Sequence, residues 1–284
     1  MRDACIKMLS EIYTCDIIDA NGAFEALLRW SLAYSRSKAV LKLTTANETG
    51  FSMEHRSNVT VADLKNTCAK YRHSAAKVIR LQSLSSLQPL VSDLDIDLKV
   101  MFLVRDPRAL LVSLYGWVRN LTAVNKALER HSGDRSPAEN SDYDIPMLNA
   151  DFVKQYCDWM TLNFEQISNP ADWLRGRVKI LRHEDISFDP RAKAEEVYDF
   201  LKIGIHSDVT QWIQENTNAP LKARYGVMET RRNSKAMVYT WRYRTLFSEV
   251  EDVQRICSDA MAVFGYRKLD SLAELRNLSV PTIL

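Results

Sequence analysis

The chain has 284 residues, 46% hydrophobic and 26% charged, with a net charge of +2. That length can bury one large core, and that composition is globular rather than disordered. The near-neutral balance gives no general pull on nucleic acid, so any anion site must be local, and no run of about 18 apolar residues is present to span a bilayer.

Residues 1–36 are predicted to be helical, since Met8 and Ile12, then Phe24, Leu27, Leu28 and Leu32, recur at helical spacing. Residues 45–63 are polar and read as an exposed loop. Ala76 to Leu81 is a short β-branched run, expected to be a buried strand. Leu84 to Val91 reads as a short helix and Asp93 to Asp97 as a turn. Lys99 to Val104 is the clearest strand: its continuous apolar run predicts a parallel strand covered on both faces. Asp106-Pro107 follows at once, a good N-cap and a good first helical residue, and Leu110, Leu114 and Val118 then share a helix face.

Residues 124–146 are polar and read as a surface insertion. Asp151 to Ile167 is amphipathic and helical, Arg177 to Leu181 is a third strand, and Pro190 opens a further helix that runs to Leu201. Residues 214–236 are polar and basic, broken by Asn218, Pro220 and Gly226. Trp241 to Phe264 closes the chain as one or two helices. Strands alternating with helices predict an α/β fold, a parallel sheet flanked by helices in one domain over 1–284.

The segment Arg105 to Ser113 carries the chemistry. In an open α/β sheet, ligands sit beyond the C-terminal ends of the strands. Arg105 is the last residue of its strand, so its guanidinium is expected in that crevice, beside the start of the next helix. Ser113 lies about two turns along that helix, roughly 9 Å from its start, within reach of an arginine laid along it. An arginine fork and a serine hydroxyl would share one phosphate. An ordinary surface arginine and an ordinary helical serine are the alternative this spacing leaves open.

Four N-glycosylation sequons, at Asn47, Asn58, Asn120 and Asn277, favour an oxidising compartment. The five cysteines form no C-x-x-C pair, which disfavours a zinc site; one or two disulfides with a leftover thiol is the expectation, with five reduced, buried cysteines as the alternative. The five histidines show no H-E-x-x-H or paired spacing, so no metal is expected. Neither a G-x-x-x-x-G-K-[ST] nucleotide loop nor a G-x-S-x-G nucleophile elbow occurs, which argues against a P-loop kinase or NTPase and against a serine hydrolase.

The run K-V-M-F-L-V-R-D-P-R-A-L-L-V-S, residues 99–113, resembles the 3′-phosphate-binding segment of the Golgi carbohydrate 6-O-sulfotransferases that modify galactose, N-acetylglucosamine or N-acetylgalactosamine. The resemblance extends to Ala76 to Leu81 and Leu94 to Leu98 upstream. Downstream it includes Arg175-Gly176-Arg177, Arg182-His183-Glu184-Asp185, Thr230 to Ser234, Trp241-Arg242 and Cys257 to Tyr266. Cys15-Asp16 is similar to the family's early C-D-F. Five motifs fall in order with compatible spacing, over roughly Leu9 to Arg267.

The resemblance implies a P-loop-NTPase-like sulfotransferase fold and transfer of a sulfuryl group from PAPS (3′-phosphoadenosine 5′-phosphosulfate) to a sugar hydroxyl. Arg105 and Ser113 would bind the donor's 3′-phosphate, and Arg108, in the turn between them, would join them in holding the donor. Arg231, Arg232 and Lys235 would add positive charge near nucleotide or substrate, a solvated basic face being the alternative. Arg182, Glu184 and Asp185 are expected to buttress the sheet end. His183 stands where the family usually has Tyr, which implies altered adenine or core contacts; a satisfied structural His is the leading expectation. Cys157 and Cys257 resemble family cysteines and are the expected disulfide.

The partner would be a glycan acceptor on a glycoprotein or proteoglycan, with no nucleic acid, and homo-oligomerisation is allowed. The family's membrane anchor, first strand and R-S-G-S-S-like loop for the 5′-phosphosulfate are not found in this sequence, nor is its candidate base after that loop. Golgi residence is therefore expected of a full-length parent, and this chain shows no targeting segment. An incomplete gene product or shortened isoform is the expectation. A non-catalytic fragment that binds nucleotide or glycan, or pairs with an intact homologue, is the competing reading.

Overall fold

The structure, a computed structural model, describes residues 2–18, 60–79, 81–113, 150–220 and 231–284. The second half of the expected first helix, most of the loop over 45–63, the 124–146 insertion, Thr230, and the sequon asparagines Asn47, Asn58 and Asn120 lie outside them. The chain forms two compact units, Met1–Leu98 and Lys99–Leu284.

In the first unit, α1 (Arg2–Thr14) ends where Cys15 takes a left-handed backbone, φ 57°. The helix expected over 1–36 is therefore interrupted at its fourteenth residue. Cys15 is disulfide-bonded to Cys68, the last residue of α2 (Val61–Cys68). Thr60 caps α2, accepting from Asp63 N, while the Asp63 carboxylate accepts from Thr60 N: a reciprocal capping box. A 3-10 turn, Leu84–Leu87, runs into α3 (Gln88–Ser92), where Pro89 stands in the first turn. Leu84, Leu87 and Leu90 are buried there, as is Leu9 of α1. The strand expected over 76–81 does not form among the described residues. Ile79 is 78% exposed, and β-branched residues supply propensity but no partner strand.

The second unit is built on two parallel strands, β1 (Val100–Val104) and β2 (Val178–Arg182), in register from Val100↔Val178 to Val104↔Arg182. On β1, Phe102 and Val104 are buried, whereas Met101 and Leu103 are 41% and 50% exposed. Cover on both faces was the expectation; among the described residues one face is covered. A helix, α4, occupies residues 107–113. The long α5 (Ala150–Ser168) buries Val153, Cys157, Met160 and Asn163, a single face at helical spacing. Phe102 of β1 meets Trp159 of α5 at 4.9 Å and Phe264 at 6.3 Å, and Phe264 makes an edge contact with Phe164 at 5.2 Å.

After β2 come α6 (His183–Phe188), α7 (Pro190–Leu201), α8 (Ser207–Thr217), α9 (Ser234–Tyr239), α10 (Phe247–Ile256), α11 (Ser258–Val263) and α12 (Leu272–Arg276). Cys157 is bonded to Cys257 between α10 and α11, as the resemblance implied, and Cys5 is the free thiol among the described residues. Trp241-Arg242 acts as a clamp. Trp241 packs with Ala109, Val250, Leu269 and Leu275. The wholly buried Arg242 guanidinium donates to the carbonyls of Glu274, Leu275, Asn277 and Val280, fixing α12 and the chain end. No described helix is long and apolar enough to cross a membrane.

Candidate functional site

Because β1 and β2 are parallel and in register at Val104↔Arg182, the residues that follow each, Arg105 and His183, leave the sheet side by side. Neighbouring strands are about 4.8 Å apart, so these two side chains start close together. This is the C-terminal edge, where α/β sheets place ligands.

Around this edge most of the charge is consumed internally. Glu184 is 3% exposed; one carboxylate oxygen accepts from Asp106 N at 3.0 Å and the other from the Tyr266 hydroxyl at 3.0 Å. Burial, and then the nearby Asp106 charge, push the Glu184 carboxyl above its ordinary range. Burial likewise raises the Tyr266 phenol. Arg182 holds both oxygens of Asp185, at 2.8 and 3.0 Å, and donates to the Phe264 carbonyl at 3.0 Å. These contacts give Arg182, Glu184 and Asp185 the work of fixing the strand ends against the Phe264 to Tyr266 turn.

Arg108, expected to hold the donor, is instead turned into the fold, where its donors go to protein acceptors. It is 1% exposed, and its guanidinium donates twice to Asp106, at 2.9 and 2.7 Å, once to Gln254 Oε1 at 2.8 Å and once to the Arg267 carbonyl at 2.9 Å. It also lies over the Trp241 ring, 5.2 Å from the centroid. Asp106 caps α4 as expected, accepting from Arg108 N at 2.9 Å.

Arg105 is different. Its Nε is sealed from solvent and has no hydrogen-bond partner among the described residues. Burial lowers its pKa, and the Glu184 and Asp106 charges only partly restore it. Both of those carboxylates are engaged elsewhere. Tyr156 of α5 donates to the Arg105 carbonyl at 3.4 Å, bracing the backbone, and burial raises the phenol. His183 Nδ1 is also sealed and unpartnered. Burial first, and the Arg105 charge second, push His183 down to about 4.

Ser113, eight residues beyond Arg105, is the last described residue of α4 and is exposed. Arg231 is exposed and its Nε donates to the Glu215 carbonyl at 3.2 Å. The Arg232 backbone pairs with Asn216 and Ala219 at the end of α8. Lys235 is exposed on the first turn of α9. Asn233 caps that helix, and Ser234 Oγ donates to the Ser187 carbonyl at 2.7 Å. The basic segment is thereby tied to α6, the helix that His183 opens. Arg175-Gly176-Arg177 is a turn: Gly176 has φ +69°, and Arg177 hands its carbonyl to Val100 N at 2.7 Å. Among the described residues no cluster of His, Cys, Asp and Glu could hold a metal ion.

Sequence reasoning favoured a satisfied structural role for His183, with altered adenine contacts as the alternative, and missed its place beside Arg105; its Nδ1 is not satisfied among the described residues. The signal was the repeated pattern of an apolar strand followed at once by a basic residue.

The sulfotransferase domain model matches residues 10–265. Human carbohydrate sulfotransferase 3 is 34% identical over 224 residues, covering 78% of this chain and 44% of that protein. Human carbohydrate sulfotransferase 1 is 32% identical over 229 residues, 80% of this chain and 52% of that protein. Carbohydrate sulfotransferase 1 of Danio rerio is 28% identical over 305 residues, 100% of this chain and 69% of that protein. The chain spans about half the length of most of these curated relatives. No solved structure matches.

Proposed function

The chain belongs to the sulfotransferase domain family, and on that premise we propose that it carries the 3′-phosphate grip of a PAPS-dependent carbohydrate sulfotransferase. The observation that supports this reading is Arg105: a half-buried guanidinium at a parallel strand end whose Nε is sealed from water and unpartnered among the described residues, beside carboxylates already committed to other donors. A phosphate arriving from outside supplies the missing acceptor, and a charge-assisted contact of this kind is about twice as strong as a neutral one. Ser113 adds a hydroxyl along the same helix, and Arg231, Arg232 and Lys235 add positive potential from the α9 side. Arg108 holds the turn that presents Arg105.

In the reaction, a base takes the proton of a sugar hydroxyl, the oxygen attacks sulfur in line, the new O–S bond forms, and the S–O bond to the 5′-phosphate of PAP breaks. Holding the 3′-phosphate fixes the donor for that displacement, which depends on positioning and on charge stabilisation. The relatives are named carbohydrate sulfotransferases; the acceptor here is assigned as a glycan, attacked at a 6-hydroxyl, in the Golgi lumen.

The test is calorimetric titration of the chain with adenosine 3′,5′-bisphosphate, with radiolabelled sulfate transfer to a galactose- or N-acetylgalactosamine-containing glycan measured in parallel. Binding that falls at least tenfold in Arg105→Ala supports the grip. Equal binding by wild type and variant removes it. Binding without transfer assigns this chain to nucleotide capture alone.

A further inference from the structure

We propose that His183 couples phosphate binding at Arg105 to the uptake of a proton, so that this chain grips the donor's 3′-phosphate more tightly as the medium acidifies. The inference rests on the donor-site reading and adds a pH-sensing residue to that site.

Arg105 and His183 leave adjacent parallel strands one position beyond the paired residues Val104 and Arg182. Each carries a ring or guanidinium nitrogen that is sealed from water and has no partner among the described residues. In the empty site the Arg105 charge opposes a second positive charge on the imidazole, and burial opposes it further. A phosphate dianion on Arg105 more than cancels that cation. The potential at His183 then reverses sign and the protonated imidazole becomes the favoured form. Linkage runs both ways: if bound phosphate raises proton affinity at His183, protons raise phosphate affinity at Arg105 by the same factor.

The other charges nearby do not compensate His183. On its own segment Arg182 and Asp185 are paired with each other, and Glu184 accepts from Asp106 N and Tyr266. From the end of β1, Asp106 is paired with Arg108. From α5, Tyr156 is turned to the Arg105 carbonyl. Helices α7 and α9 pack against α6. On α7, Lys193 is paired with Glu196 and Arg191 with Glu195, while Tyr198 and Asp199 stand in its last turn; α9 carries Lys235 and Tyr239. Lys235, a cation, adds to the case for an incoming anion.

Titrating adenosine 3′,5′-bisphosphate into wild type and His183→Gln from pH 5 to 8, in buffers of different ionisation enthalpy, counts protons taken up per ligand. The ligand's own phosphate titrates near pH 6 and contributes equally to both proteins, so the difference belongs to His183. Wild type should take up as much as one proton more than the variant at pH 6. Its affinity should also gain up to about tenfold over the variant for each pH unit lowered through the window where the bound imidazole titrates. His183→Asn serves if the glutamine variant fails to fold. Equal proton counts and parallel pH profiles, with tight binding retained, overturn the role of His183 and leave the donor site standing. No binding by wild type at any pH overturns both.

Discussion

Asp106 and Arg108, two residues apart at the mouth of α4, form a doubly hydrogen-bonded ion pair of 2.9 and 2.7 Å, each residue 1% exposed. The pair is completed from far along the chain by Gln254 and the Arg267 carbonyl. It therefore locks the turn after β1 to α10 and to the segment before α12, and Arg105 is aimed by that lock.

Removing the cation strands a buried carboxylate. Arg108→Ala should lose about 3–5 kcal/mol of stability, the cost of breaking a buried pair from one side. Urea denaturation measures it directly. Arg108→Ala with Asp106→Asn should recover part of the loss, since the stranded Asp106 carboxylate is then gone. A variant as stable as wild type would mean that Arg108 is exposed to solvent and free for a ligand.

Gly265 ends α11 at φ +71°, a left-handed position, and a methyl group there would stand 3.1 Å from Arg182 Nη1. Gly265→Ala should cost about 1–2 kcal/mol from the backbone alone. It should also push Arg182 off the Phe264 carbonyl, loosening the β2 end. The expected signature in hydrogen exchange is faster opening of the amides of 264–266, with α5 unchanged. A loss confined to residues far from β2 would contradict this coupling.

Much of the second unit was legible because its elements bury one face each. Val100–Val104 announces itself as an apolar run, Val178–Arg182 carries Val178, Ile180 and Leu181 around a single lysine, and α5 shows its helical stripe of Val153, Cys157 and Met160. The short helices α8, α9 and α12 were not legible. α8 is largely polar, α9 and α12 run only 6 and 5 residues, too short to show a helical stripe, and their caps at His206, Asn233 and Ser271 are single residues in segments that also read as loop. The run over 76–81 misled for the opposite reason, since β-branched propensity cannot create a partner strand. At the site, Arg105 was legible as a strand-end cation. The inward turn of Arg108 was not, because the acceptors that draw it into the fold, Gln254 and the Arg267 carbonyl, lie 146 and 159 positions away. Arg242 is the same case: no local pattern shows a guanidinium that collects four carbonyls from the chain end.

Cys157 and Cys257 close a loop of 100 residues that contains β2 and helices α6 to α10. Tying so long a loop restricts the unfolded chain, so Cys157→Ala with Cys257→Ala should lose about 2–5 kcal/mol. Both sulfurs sit in the buried layer between α5 and α11, so the alanines also leave unfilled space. Thermal unfolding with and without reductant separates the two contributions: reductant should lower the midpoint of wild type by more than that of the double variant, which retains only Cys15–Cys68. A reductant effect of equal size in both would place the important crosslink elsewhere, at Cys15–Cys68.

His183 sets an acid limit on stability. Its imidazole is held at about 4 in the folded protein against an ordinary 6.5, so between those values the unfolded chain binds more protons. The contribution is complete above 6.5 and is lost as pH falls towards 4, on the order of 3 kcal/mol over the window. Glu184 acts with the opposite sign: its carboxyl is raised, so the folded state gains by binding its proton earlier as pH falls. Denaturation midpoints of wild type alone would mix the two. The difference between wild type and His183→Gln isolates the imidazole, because Glu184 is common to both. Wild type should lose stability relative to the variant from pH 6.5 to 4, and adding adenosine 3′,5′-bisphosphate should shrink that relative loss, since the phosphate beside Arg105 lets His183 keep its proton in the folded state. Parallel midpoint curves without ligand would show an imidazole in contact with water, and the site beside Arg105 would then be open rather than sealed.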